Sequence, residues 1–159
     1  MHLKRAALVS CGALVTLASY WIMRGQKKPK HCVFCHPLDR VVYEDDELIA
    51  FHDIKPDAKL HLLVIPREHF GTVKELTSGD IPMVKRMHEL GQRLLREQGF
   101  EGENTRFGFH RPPFNSIHHL HMHCLGLPFK RKHSGKMFPA EGARWFYPVP
   151  QLLDQLDQD

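Results

Sequence analysis

Hydrophobic and polar positions change their period several times along this chain, and each change marks an element. Ala6 to Met23 carries no charge, and as a helix the run would reach about 27 Å, close to the hydrocarbon thickness of a bilayer. Tyr20 and Trp21 sit near its end, where interfacial aromatic residues belong. Arg40 to Glu44 and Leu48 to Asp53 alternate as two strands of a hairpin turned at Asp45-Asp46. Leu60 to Ile65 is a short apolar strand ended by Pro66. Ile81, Val84, Met87, Leu90, Leu94 and Leu95 recur at helical spacing and predict a helix over 81–98, stopped by Gly99. Thr105 to His110 is a further strand, followed by the breaker Pro112-Pro113. His119-Leu120-His121-Met122-His123-Cys124-Leu125 alternates strictly between imidazoles and apolar side chains, the period of a strand. Residues 148–156 form a short terminal amphipathic helix. Strands on both sides of one main helix predict an α+β domain with a largely antiparallel sheet.

The histidine strand carries the chemistry. One face presents His119, His121 and His123, while the other buries Leu120, Met122 and Cys124. Buried imidazoles need hydrogen-bond partners, so a strand that served only the core would not place three on one face. The face is a site, suited either to metal ligation or to nucleophilic catalysis at phosphorus.

Charge and cysteine content narrow the setting. The formal net charge is +4, and Lys4, Arg5, Arg24, Lys27, Lys28 and Lys30 crowd the first thirty residues. Zinc-finger repeats, an RNA-recognition signature and a long basic stripe are all missing from the sequence, so no nucleic-acid partner is expected. Four cysteines do not make a disulfide scaffold. Only Cys32-Val33-Phe34-Cys35 is paired, as a redox motif or half a zinc site, and Pro37 directly after it disfavours the strand-to-helix context of a thioredoxin-like motif. With 13 histidines in the chain, half a zinc site is the better reading.

The histidine string resembles the His-φ-His-φ-His-φ-φ signature of the histidine triad superfamily. Phe51-His52-Asp53-Ile54 and the run from His61 through Ile65-Pro66-Arg67-Glu68 to His69 are similar to the other two blocks of its Hint branch. Gly108-Phe109-His110-Arg111-Pro112-Pro113-Phe114, Ser116 and Trp145-Phe146 look most like the third group of vertebrate members. Aprataxin is similar around the triad but carries a C-terminal zinc finger for DNA, and no CxxC follows Leu125 here.

The resemblance implies a fold, an activity and a set of roles. The expected domain spans residues 32–159, behind an N-terminal segment and basic linker over 1–31. Its activity would be hydrolysis of AMP–amine conjugates to AMP and amine through a nucleotidyl-histidine. His121 corresponds to the nucleophile, with its second ring nitrogen held by the backbone carbonyl at the His123 position. His123 and Ser116 match positions that bind phosphate oxygens and the leaving group. Asp53 matches the ribose-binding carboxylate and Ile54 a base contact, and His61 is a fourth active-site histidine. Where the best-known Hint proteins carry Asn, this chain has His110. Structural zinc in some members uses positions that map to Cys32, Cys35, His69 and His119, a Cys₂His₂ set closed to substrate. Family members pair as homodimers.

Two competing classes remain open on the sequence. In one, the triad binds a catalytic metal, which would want a nearby carboxylate base, yet no acidic residue lies between Glu103 and Glu141. In the other, the domain is a nucleotide-binding interaction module with vestigial activity. The N-terminal run is longer than the core of a signal peptide and carries more basic residues after it than before it. These features predict a single-pass anchor with the catalytic domain in the cytosol. A cytosolic setting also keeps the CxxC reduced. A mitochondrial presequence, or a soluble cytoplasmic or nuclear protein, is the alternative.

Overall fold

The computed structural model describes residue 29, residues 31–36 and residues 38–158. The predicted apolar N-terminal helix and its linker lie outside the described residues, apart from residues 29 and 31. Among the described residues, no helix is long and apolar enough to cross a membrane.

Six antiparallel strands form one sheet: β1 (Val41–Glu44), β2 (Leu48–His52), β3 (Ala58–Pro66), β4 (Thr105–His110), β5 (Met122–Phe129) and β6 (Phe146–Pro148). Their spatial order is β1-β2-β3-β5-β4-β6, so β5 sits between β3 and β4 at the centre. The main helix α1 (Ile81–Glu97) packs on one face, joined there by the terminal helix α3 (Val149–Gln158); a short turn of helix, α2 (Ser134–Met137), follows β5.

The hairpin closes where the sequence turns. Asp45 Oδ1 accepts from the backbone N–H groups of Glu47 at 2.8 Å and Leu48 at 2.7 Å, so an aspartate side chain replaces the turn's missing backbone acceptor. Helix α1 starts with proline in its first turn and buries Met83, Val84, Met87, Leu90, Leu94 and Leu95. Gly91 on the same face lets the helix approach the sheet closely, since a Cβ there would lie 2.6 Å from Cys124 Sγ. Leu120, Met122 and Cys124 complete this main core, as their alternation predicted.

The other face of the sheet carries the histidines and a small apolar cluster of Phe51, Leu63 and Ile65, with Phe34 packed against it. The central strand starts later than its alternation suggests, at Met122 rather than His119. Its ladder with β3 begins at Val64↔Met122, and β3 ends at Pro66, which has no N–H to continue pairing. Upstream, Leu120 N–H instead donates to Phe70 O at 2.7 Å. His119 and His121 therefore keep the strand's alternation while their backbone is released from its ladder. Strand β6 and the α2 turn have too few residues to show a period, and the sequence pattern does not reveal them.

Gly108 pairs with His123 across β4–β5 and with Pro148 across β4–β6. A Cβ there would collide with the Phe146 ring and the Tyr147 carbonyl oxygen. Gly108→Ala should therefore cost about 1–3 kcal/mol through forced backbone movement. Urea unfolding followed by circular dichroism should show the midpoint fall, and an unchanged midpoint would refute this packing.

Candidate active site

His121 stands at the threshold of β5, buried, with its ring edge against Phe34. Its Nδ1–H donates to the His119 carbonyl oxygen at 2.6 Å, which leaves the Nε2 lone pair unused by that bond. This corrects one expectation: the carbonyl that holds the ring belongs to His119, not to His123. His123 lies within β5, paired with Leu63 and Gly108, whereas His119 precedes the ladder and its carbonyl can turn to the ring two residues on. Burial lowers the pKa of His121, against the opposing pull of the His119 hydrogen bond and the Asp53 charge. The ring is consequently neutral at pH 7 and can act as a nucleophile.

Behind His121 three more imidazoles lie in line. His61 Nε2 and His123 Nδ1 are 2.9 Å apart, and His123 Nε2 and His110 Nδ1 are 3.0 Å apart. The Asp57 backbone N–H donates to His61 Nδ1 at 3.2 Å, and His110 Nε2 faces the Met137 carbonyl at 3.3 Å. Phe138 packs edge-on against His61, His110 and His123 and walls the row from one side. Burial lowers all three pKa values, His110 to about 4 and His123 well below the usual histidine range.

Asp53 caps its own turn, accepting the Lys55 N–H at 2.7 Å on Oδ1, while Oδ2 lies 3.6 Å from His61 Nε2. Ile54 beside it is 80% exposed, an unusual state for a large aliphatic side chain and one that leaves it available to an incoming group. Ser116 is exposed in the loop between β4 and β5. Of the residues the sequence singled out, Asp53, His61 and His123 thus come together, while Ile54 and Ser116 are exposed on the loops after β2 and between β4 and β5.

The second cluster holds Cys32, Cys35, His69 and His119, whose ligand atoms all lie within 4.8 Å of one another. Cys32 Sγ and Cys35 Sγ are 3.4 and 3.6 Å from His119 Nδ1, and Cys35 Sγ is 3.4 Å from His69 Nδ1. A tetrahedral ion with typical zinc–sulfur and zinc–nitrogen bonds would set these edges at roughly 3.6 Å. His119 Nε2 meets the Pro66 carbonyl at 3.0 Å, the outer bond that fixes a ligating imidazole's tautomer. The four donors fit a metal ion. Asp53, His61 and His123 form another close group, but His61 and His123 already spend the facing nitrogens on each other.

The sequence noted His110 only as a departure from the Hint pattern and missed its bond to His123. Register supplied the signal: Gly108 lies opposite His123, so His110, two residues on, projects on the same face.

Residues 31–138 match the protein family described as scavenger mRNA decapping enzyme C-term binding. Adenosine 5'-monophosphoramidase HINT3 of Xenopus tropicalis is 36% identical over 132 residues, covering 79% of this chain and 86% of that protein. The bifunctional adenosine 5'-phosphosulfate phosphorylase/adenylylsulfatase HINT4 of Arabidopsis thaliana is 45% identical over 105 residues, covering 62% and 71%. Among solved structures, a HIT family hydrolase from Clostridium thermocellum aligns with TM-score 0.58 and 29% identity, covering 64% of this chain and 94% of its own.

The low histidine pKa values make stability depend on pH. The unfolded chain protonates His110 near 6.5, but the folded protein resists until about 4, so the unfolded state binds more protons between those values. Stability should fall as pH drops from about 6.5 towards 4, and His110→Asn should flatten the slope. Urea midpoints measured across that range test both; a rise in stability on acidification would contradict the site.

Proposed function

The chain belongs to the histidine triad superfamily, and we propose that it hydrolyses nucleoside 5′-phosphoramidates, AMP–amine conjugates, to AMP and amine. The observation that carries this reading is the geometry of His121, a neutral imidazole whose Nδ1–H is fixed on a carbonyl and whose Nε2 lone pair is left for attack. The Xenopus relative is named adenosine 5'-monophosphoramidase HINT3, which supports the substrate class.

In the proposed reaction His121 Nε2 attacks the α-phosphorus and forms a nitrogen–phosphorus bond. The bond to the amine breaks, and the amine leaves with the electron pair and gains a proton. Positive charge then develops on the nucleotidyl imidazole, and the His119 carbonyl on Nδ1 stabilises it. Water attacks the phosphorus, the histidine departs with its electron pair, and the water's extra proton is released. Asp53 is assigned to the ribose hydroxyls and Ile54 to the base. Ser116 and His123 donate to phosphate oxygens, His123 by turning its Nε2–H from His110 to the nucleotide. His61 supports His123 from behind.

The plant relative, named a bifunctional adenosine 5'-phosphosulfate phosphorylase/adenylylsulfatase, favours a second leaving group on the same phosphorus. In adenosine 5'-phosphosulfate the AMP moiety is unchanged and sulfate replaces the amine, so the proposed nucleophile would serve both. Comparing kcat/KM for the two substrates separates them.

We assign the four-donor cluster to structural zinc. Bound there, zinc would tie the CxxC turn to His69 and to the start of β5. The domain is further assigned to a homodimer and to a membrane anchor over residues 6–23 with the domain in the cytosol; light scattering and a carbonate wash with protease protection test these.

His121→Asn should lower kcat on an AMP–amine conjugate by several orders of magnitude while the dissociation constant for AMP stays within about tenfold. A near-normal rate would refute the nucleophile. Freshly purified protein should carry one zinc per chain by elemental analysis. Changing Cys32 and Cys35 together to Ser should release it and lower Tm, with activity below that temperature surviving better than in His121→Asn. Absence of zinc from the protein would contradict the assignment.

A further inference from the structure

We propose that His61, His123 and His110 form one directed chain of neutral imidazoles, oriented from its two ends by the Asp57 N–H and the Met137 carbonyl, in which His110 is a positioning residue that holds His123 in its Nε2–H form. The direction follows from counting hydrogens. A neutral imidazole has one N–H and one lone pair. The Asp57 N–H can only donate, so His61 Nδ1 accepts and its hydrogen sits on Nε2. His123 Nδ1 must then accept at 2.9 Å, which puts the His123 hydrogen on Nε2. His110 Nδ1 accepts that hydrogen at 3.0 Å, and the remaining His110 Nε2–H points to the Met137 carbonyl, which can only accept. Both ends demand the same assignment. The opposite one would set N–H against N–H at Asp57 and lone pair against lone pair at Met137.

Adding a proton to His61 or His123 has the same fault, because it places two hydrogens on a contact built for one. Both rings are buried, so the misplaced hydrogen could not turn to water. The chain therefore stores no charge. It fixes a donor, the His123 Nε2–H, beside the ring of His121, whose centroid is 5.2 Å from that of His123. His110 accepts that hydrogen and keeps the His123 ring oriented until a nucleotide arrives. Phe146 and Phe138 pack edge-on against His110, so the acceptor itself is held in place.

Asparagine at position 110 offers a carbonyl oxygen where His110 offers Nδ1, whereas phenylalanine keeps the ring and offers no acceptor. This inference rests on the phosphoramidate reading only for its kinetic arm; its spectroscopic arm stands alone. Long-range proton–nitrogen NMR of the full chain with ¹⁵N-labelled histidine, rings assigned, should show His61, His123 and His110 as neutral Nε2–H tautomers and His121 as the Nδ1–H tautomer. An Nδ1–H tautomer at His61 or His123 in the wild-type protein overturns the chain, whether or not the protein cleaves phosphoramidates. With an AMP–amine conjugate, His110→Phe should lower kcat by about tenfold to a hundredfold with KM within about threefold, and His110→Asn should recover most of that loss. Equal kcat in His110→Phe and wild type overturns the positioning role, and so does a His110→Asn variant as slow as His110→Phe. Should His110→Phe fail to fold, the wild-type and His110→Asn spectra still decide the direction. A wild-type protein inactive on the conjugate would refute the substrate assignment and leave the tautomers to the spectrum.

Discussion

One hydrogen bond, from His121 Nδ1–H to the carbonyl of His119, organises the surface around the triad. It needs a carbonyl outside the sheet ladder and a ring just ahead of it, and the end of β3 at Pro66 provides both. Past that proline the pairing stops, so the backbone of residues 119–121 is no longer committed to a neighbouring strand. His119 then serves twice. Its side chain turns to Cys32 and Cys35, and its carbonyl turns to His121. Whatever steadies the four-donor cluster steadies the acceptor that sets the tautomer of the proposed nucleophile.

The electrostatic consequence is a row of uncharged imidazoles. Four imidazoles gathered under a wall of Phe138 and Phe34 would repel one another strongly if protonated, and burial lowers each pKa. Neutrality suits attack on an anionic phosphorus centre, because a protonated His121 has no lone pair to offer. It also suits a cluster whose polar atoms are satisfied by one another and by backbone groups rather than by water.

Elements with a clear period were legible in the sequence. Helix α1 appears one residue shorter than its apolar spacing predicts, β4 has the predicted bounds, and the Asp45 turn closes the expected hairpin. Alternation in the histidine string correctly put Leu120, Met122 and Cys124 in the core. It misplaced the start of the strand, because side-chain alternation persists in extended backbone whether or not a partner strand continues. Strand β6 has only three residues and stayed hidden. Two parts of the site depended on long-range register. His110 reaches His123 only because β4 and β5 align Gly108 with His123, and the carbonyls of His119 and Met137 belong to no motif. Side-chain identities named most of the participants; backbone atoms, which a sequence does not distinguish, set their tautomers.

The proposed reaction turns on a bond between His121 and phosphorus. Full-length protein mixed with an AMP–amine conjugate, quenched in base within the first turnovers and digested for mass spectrometry, should carry one adenylyl group on the peptide containing His121. That group should be lost on acid treatment and be missing from His121→Asn protein treated identically. Turnover with no adduct on His121 at any quench time, or an adduct on another residue, would contradict it.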